Sequence, residues 1–166
     1  DNIEARAQML MASTFAGVGF GNAGVHLPHG MSYPVSGMVR EYRPEGYPTN
    51  QPIIPHGMSV ALHAPAVFRF TASANPTRHM EAARLMGANV TGVINEDAGN
   101  VLSQQISSLL RDIGMPNGLS AVGYDSEDVA DLVTGTLPQH RVTKLSPRLA
   151  NNEDLRKLFL ESMSLW

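Results

Sequence analysis

The chain of 166 residues contains no cysteine, which excludes disulfide bridges, thiolate metal sites and a cysteine nucleophile. Charged residues make up only 16% of the chain, and its 12 lysines and arginines are scattered, so no nucleic-acid surface is predicted. No apolar stretch reaches the roughly 20 residues that a membrane-spanning helix needs. The first residues have neither the basic nor the apolar region of a signal peptide. These absences favour a protein of a reducing compartment with neither nucleic acid nor membrane as a partner.

Apolar residues at helical spacing are the main structural pattern of the chain, and no convincing run of alternating strand residues occurs. The β-prone stretch 90–94 is isolated, and the proline-rich stretch 40–55 is predicted to be an irregular loop. We therefore expect one all-α domain over residues 1–166, a bundle of seven or eight helices. The opening helix is expected to be largely buried. The predicted helices cover residues 4–20, 57–70 with a kink at Pro65, 75–87, 96–113, 126–133 and 152–166.

A five-residue phrase, Pro-His-Gly-Met-Ser, occurs twice, at residues 28–32 and 55–59. In each copy the proline fixes the backbone before the histidine, and the glycine lets another group approach the imidazole. Neutral imidazole is the commonest transition-metal ligand in proteins, so the phrase suggests that His29 and His56 share a metal. By spacing alone, a structural role for the two histidines is as well supported as a metal site.

Other motifs have simpler explanations. Residues 19–24 match the dinucleotide fingerprint G-x-G-x-x-G, but a helical pattern precedes them and no acidic residue follows at a strand end. We interpret these glycines as sites of close helix packing or ligand approach. His79 is expected on a solvated helix face, His63 beside the metal ligands, and His140 in a loop. Tyr33 could donate a proton or contact substrate, although a half-buried ring with a bonded hydroxyl is the simpler interpretation.

Residues 15–34, which contain the first phrase, resemble the signature of the iron-containing alcohol dehydrogenases. Residues 55–57 resemble the second metal-histidine motif of that family. Within it the chain is most similar to the hydroxyacid–oxoacid transhydrogenase branch. The stretches that carry this similarity are residues 118–124, 135–139 and 141–148 and the helix start at 152–155.

The resemblance implies that this chain corresponds to the helical, metal-binding C-terminal domain. The α/β domain that holds the nicotinamide cofactor, NAD, would lie outside it. In the family an Asp and a His of a D-x-x-x-H helix join two later histidines around a divalent metal. His29 and His56 match the later pair, and the first pair belongs upstream of residue 1. Phe20 matches a substrate-pocket position, and Tyr33 replaces a histidine that many members have near the nicotinamide.

The implied reaction is hydride transfer from a hydroxyacid such as 4-hydroxybutyrate, with 2-oxoglutarate as the second substrate. Fe(II) is the favoured metal and Zn(II) the alternative. The isolated chain is expected to be inactive and to self-associate, as a homo-oligomer, through apolar surface. Its location would be cytoplasmic in a bacterium and mitochondrial in a eukaryote. Two alternatives remain open: another iron or zinc alcohol or glycerol dehydrogenase of the superfamily, and a helical interaction module without chemistry.

Overall fold

The computed structural model describes residues 2–166, which fold into helices joined by turns and loops without a β-strand. The prediction of an all-α fold is confirmed, with nine α-helices in the described part instead of seven or eight. Short 3₁₀ turns lie at 72–74, 95–97, 120–122 and 126–128. The α-helices are α1 Ile3–Ala23, α2 Leu27–Gly37, α3 His56–Ala61, α4 Ala64–Thr71, α5 Pro76–Leu85, α6 Ala98–Asp112, α7 Val129–Thr136, α8 His140–Thr143 and α9 Asn152–Glu161.

Side-chain caps fix the starts of several helices. Asn75 accepts a hydrogen bond from the N–H of Arg78, and Pro76 occupies the first turn of α5, as the sequence predicts. Asn151, one residue before the predicted start, caps α9 in a capping box with Asp154. The stretch 90–94, although rich in β-branched residues, forms no strand because no partner strand lies within residues 2–166.

Pro65 interrupts the helix predicted over 57–70 instead of merely kinking it. It lies in the first turn of α4, and Leu62 and His63 form the turn between α3 and α4. Proline lacks an N–H and clashes with the preceding helical turn, so a new helix starts there. The resulting bend allows α3 to face α2 while α4 packs on α6.

Helix α2 crosses the centre of the main hydrophobic core. Leu27, Met31 and Val35 recur at four-residue spacing and are fully buried. They pack with apolar residues of α7 and α9, including Leu132 and Phe159. His29 and Tyr33 sit two residues out of phase with this buried row, so they project from a different side of α2. A second, smaller core joins α5 and α6.

Helix α1 contradicts the expectation of a largely buried opening helix, because none of its 21 residues is buried. The apolar residues do form a helix, but no element within residues 2–166 covers it. Gly24 ends the helix at a positive φ of 77°. The exposed large apolar side chains of α1 are Ile3, Met9, Leu10, Met11, Phe15, Val18 and Phe20.

The predicted loop between α2 and α3 is confirmed as irregular over residues 38–55. Its two arms are tied together where the N–H of Ile53 donates to the carbonyl of Tyr42 at 2.8 Å. Ile54 anchors the end of the loop in the core. None of the helices formed by residues 2–166 combines the length and the apolar character needed to cross a bilayer.

Candidate metal centre

The two Pro-His-Gly-Met-Ser phrases open α2 and α3, two helices in direct contact. His29 is the third residue of α2, and His56 is the first residue of α3, directly after Pro55. Both imidazoles therefore leave the first turn of a helix. The prolines fix φ on the approach to each histidine, which restricts the backbone at that point.

The serine of each phrase fixes the backbone of its histidine. Ser32 donates to the carbonyl of His29 at 2.8 Å, and Ser59 donates to the carbonyl of His56 at the same distance. Ser36 then links the two helices, because its hydroxyl lies 2.9 Å from the Ser59 hydroxyl and 3.3 Å from the Ile54 carbonyl. A partly buried hydroxyl network therefore links α2 to α3.

The glycines of the two phrases have different surroundings. A Cβ on Gly30 would lie 2.5 Å from the γ-methyl of Thr143, so α2 and α8 approach each other only because this residue lacks a side chain. A Cβ on Gly57 would meet nothing within 4 Å. Gly30 thus permits the close approach of α8 to α2, whereas the expected approach of a group to the imidazoles stays a prediction.

The imidazoles of His29 and His56 face each other edge-on, with ring centroids 5.3 Å apart and an interplanar angle of 61°. Two imidazoles on one tetrahedral ion, with nitrogen–metal distances of about 2.1 Å, have ring centres roughly 5 Å apart. The pair therefore fits a shared divalent ion. Within residues 2–166 no group of three or more His, Cys, Asp or Glu side chains forms such a site, so this pair supplies only part of a coordination sphere.

Electrostatics keeps the imidazole at the start of α2 neutral. Burial lowers the pKa of His29, and the neighbouring His56 lowers it further. Burial likewise lowers the pKa of His26, with smaller contributions from His29 and His79. Metals bind neutral imidazole, so the lowered pKa of His29 keeps it in its ligand form at neutral pH.

The two predicted substrate-pocket residues lie in different surroundings. Tyr33, half-buried, stacks on His56 with ring centroids 6.2 Å apart and planes at 29°. Phe20 lies in the last turn of α1 and is 55% exposed. The structure therefore brings Tyr33 together with the histidine pair but not Phe20, and a substrate role for either residue stays a prediction.

The remaining histidines differ from the sequence-based expectations. His79 is buried and not solvated: its Nε2 lies 2.9 Å from the Thr71 hydroxyl and its Nδ1 2.8 Å from the Asn75 carbonyl. His63 lies in the core, edge-on to Phe159 at 5.4 Å, and the structure shows no contact between it and the histidine pair. His140 is the exposed first residue of α8 and not a loop residue.

Sequence reasoning gave His26 no role in the site. His26 precedes α2 and packs edge-on against Phe68 with ring centroids 5.9 Å apart. Its Nδ1 is buried without a hydrogen-bond partner among the described residues. The three-residue spacing from His29 was its only signal in the sequence, and the burial depends on a distant helix, α4.

Comparison with known proteins agrees with this architecture. The family described as "Fe-containing alcohol dehydrogenase family, C-terminal" matches residues 1–163. A probable mitochondrial hydroxyacid–oxoacid transhydrogenase from Dictyostelium discoideum is 54% identical over 163 residues, which are 98% of this chain and 30% of that protein. The mitochondrial hydroxyacid–oxoacid transhydrogenase of Rattus norvegicus is 52% identical over 166 residues, all of this chain and 36% of that protein. The chain thus spans about a third of the length of these relatives.

Solved structures share the fold. A 1,3-propanediol oxidoreductase superposes with a TM-score of 0.83 at 29% identity, over 98% of this chain and 39% of that chain. An alcohol dehydrogenase from Oenococcus oeni gives the same TM-score at 28% identity, over 97% and 38%. From the match of sequence and helical architecture over nearly all its residues, the chain belongs to the Fe-containing alcohol dehydrogenase family and corresponds to its C-terminal region.

Proposed function

We propose that this chain supplies part of the metal site of an NAD-linked hydroxyacid–oxoacid transhydrogenase. The observation that carries the proposal is the edge-on pair of His29 and His56, 5.3 Å apart at the starts of two helices in contact. The transhydrogenases of D. discoideum and R. norvegicus, at 54% and 52% identity, support the choice of branch. Because such enzymes are about three times as long, the helical domain formed by residues 1–166 would act together with an N-terminal α/β domain that holds NAD.

The two ligands that this chain would supply are imidazole nitrogens, and thiolate is excluded because the chain has no cysteine. Imidazole suits both Fe(II), our first choice, and Zn(II). When bound, such an ion acts as a Lewis acid that polarises the oxygen of the substrate. His29 and His56 would hold it, with the remaining ligands contributed from outside residues 2–166.

The other residues of the site would orient ligands and substrate. Ser32 and Ser59 fix the backbone of the two histidines, and the Ser36 hydroxyl keeps α2 and α3 at a constant separation. Tyr33, beside His56, would contact the substrate. Phe20 would line the same pocket from α1.

NAD and the substrates, 4-hydroxybutyrate and 2-oxoglutarate, would meet these residues at the boundary between the two domains, and the helical domain alone would be inactive. A eukaryotic source would place the protein in mitochondria.

A second candidate is an alcohol or diol dehydrogenase of the same family. It is favoured by the solved structures with a TM-score of 0.83, a 1,3-propanediol oxidoreductase and an alcohol dehydrogenase.

To distinguish the two candidate functions, the chain would be joined to the N-terminal region of the rat relative. We expect 2-oxoglutarate-dependent oxidation of 4-hydroxybutyrate by this fusion. Oxidation of 1,3-propanediol with free NAD, without use of 2-oxoglutarate, would support the second candidate.

Metal binding is tested first, by anaerobic calorimetry of the chain with Fe(II) and with Zn(II). We expect one-to-one binding that is lost in both His29→Ala and His56→Ala. His140→Ala is the matched control, because His140 is exposed and lies on α8. Binding that both site variants leave unchanged would contradict a shared ion. Repeating the titration on the fusion shows whether ligands from outside the chain are required.

A further inference from the structure

The ring of His56 is held by two aromatic contacts, both from α2. His29 meets it edge-on at 5.3 Å, and Tyr33 stacks on it at 6.2 Å with an interplanar angle of 29°. His29 and Tyr33 are four residues apart, so they lie one above the other on the same face of α2. A single helix therefore presents both a candidate metal ligand and a ring that packs on the second candidate ligand.

Hydrogen bonding does not fix the His56 side chain within the described part of the chain, because no residue from 2 to 166 bonds either ring nitrogen. Its backbone carbonyl does accept a bond from Ser59, but this leaves the ring free to rotate. Metal-bound histidines usually donate their second N–H to a carboxylate, a carbonyl or a water, which sets the orientation of the ring. His56 is exposed at the start of α3, so packing is the remaining restraint that the protein supplies.

We infer that Tyr33 is a positioning residue: its ring, stacked on His56, restricts the imidazole to the rotamer in which it faces His29. The inference rests on the proposed function of this histidine pair as ligands of one ion. It concerns the face of the Tyr33 ring and not its hydroxyl. Phenylalanine should therefore replace Tyr33 in this role, and a non-aromatic side chain should not.

The first test is NMR of the metal-free 166-residue chain with labelled histidine side chains. We expect an upfield ring-current shift of the His56 ring protons in the native chain and in Tyr33→Phe. In Tyr33→Leu the shift should decrease to the contribution of the His29 ring, and carbon relaxation should show larger motion of the His56 ring. Tyr33→Met serves as a second non-aromatic variant, and circular dichroism verifies that each variant is folded.

The second test follows the same His56 signals during titration with Zn(II). Aromatic pairs of this kind contribute about 0.5–1.5 kcal/mol, so Tyr33→Leu should weaken Zn(II) binding by roughly 2- to 12-fold, and Tyr33→Phe by less than about twofold. Unchanged shift and motion of the His56 ring in both Tyr33→Leu and Tyr33→Met would overturn the inference. So would an equal loss in Tyr33→Phe, which would assign the effect to the hydroxyl. Zn(II) binding insensitive to His29→Ala would refute the shared site, whereas the NMR result would still decide the role of Tyr33.

Discussion

At the scale of single residues, His63 is a polar side chain in an apolar environment that, within the described part of the chain, offers its ring no hydrogen bond. It is fully buried, and neither ring nitrogen has a hydrogen-bond partner among residues 2–166. Burial lowers its pKa from 6.5 to about 3. The unfolded chain therefore binds a proton that the folded chain does not between these two values. Stability should fall as the pH drops below 6.5, by up to about 1.4 kcal/mol per pH unit from this residue.

We predict that His63→Leu stabilises the protein and reduces its acid sensitivity. Leucine fills a similar volume without unbonded nitrogens, so the free energy of unfolding should rise by about 1–3 kcal/mol. Urea unfolding at about pH 7.5 and about pH 5 measures both effects. The acid sensitivity should decrease without vanishing, because the pKa values of His26 and His29 are also lowered by burial.

The matched control is His79→Leu, at a buried histidine whose two nitrogens are both bonded. This variant should lose about 1–3 kcal/mol, because the Thr71 hydroxyl loses its partner and the Asn75 carbonyl keeps only the backbone N–H of residue 79. If both leucine variants lose stability at neutral pH, the unbonded nitrogens of His63 are not a source of instability.

At the scale of helices, the repeated phrase offers an internal comparison between two glycines. Gly30→Ala would push a methyl group into the Thr143 side chain of α8, and overpacking of this kind costs about 1–3 kcal/mol. A Cβ on Gly57, in the first turn of α3, would meet nothing within 4 Å, so Gly57→Ala should gain up to about 0.5 kcal/mol from helix propensity. Thermal unfolding of the two variants tests this difference in sign.

A second-site change would show whether the clash itself causes the loss. Thr143→Ser removes the γ-methyl that a Cβ on Gly30 would meet at 2.5 Å. The double variant Gly30→Ala with Thr143→Ser should recover most of the stability lost in Gly30→Ala. Equal losses in the single and double variants would place the cost elsewhere, for example at Val142, 3.5 Å away.

Helix starts could be predicted from the sequence because their signals are local. The first residues of α5 and α9 are predicted to within one position. Asn75 with Pro76 marks the start of α5, and Asn152 with its acidic neighbours marks the start of α9. The burial of His79 could not be predicted, since it depends on Thr71 at the end of α4 and on Phe68. The repeated phrase indicated the histidine pair, but its 5.3 Å separation depends on the packing of α3 against α2.

At the scale of the whole molecule, the chain exposes more surface than its size requires. Its accessible surface is 9925 Å² for 17.9 kDa, whereas a folded monomer of this mass exposes about 8000 Å². Helix α1 contributes to this excess, because it has no buried residue and carries apolar side chains along its length. A helix with apolar residues on all sides is normally covered by protein. In a solution of the isolated chain, the protein surface that can cover α1 is that of a second copy of the chain.

We predict that the isolated chain self-associates through α1. Leu10→Lys should weaken the association by about tenfold or more, because a charge would have to be buried with the helix. Leu85→Lys is the matched control, since Leu10 and Leu85 are each 72% exposed but Leu85 ends α5. Sedimentation velocity over a range of concentrations measures the change. A native chain that stays monomeric throughout, or equal effects of both variants, would contradict a role for α1.

The hydroxyl link between Ser36 and Ser59 has a consequence for how the chain tolerates interruption. It links α3 to α2 directly, and of the intervening loop only Ile54 takes part, through its carbonyl, while residues 43–52 include none that is buried. The tie between Tyr42 and Ile53 closes the base of that loop. A protease cut or an inserted tag within residues 43–52 should therefore leave His29 and His56 facing each other.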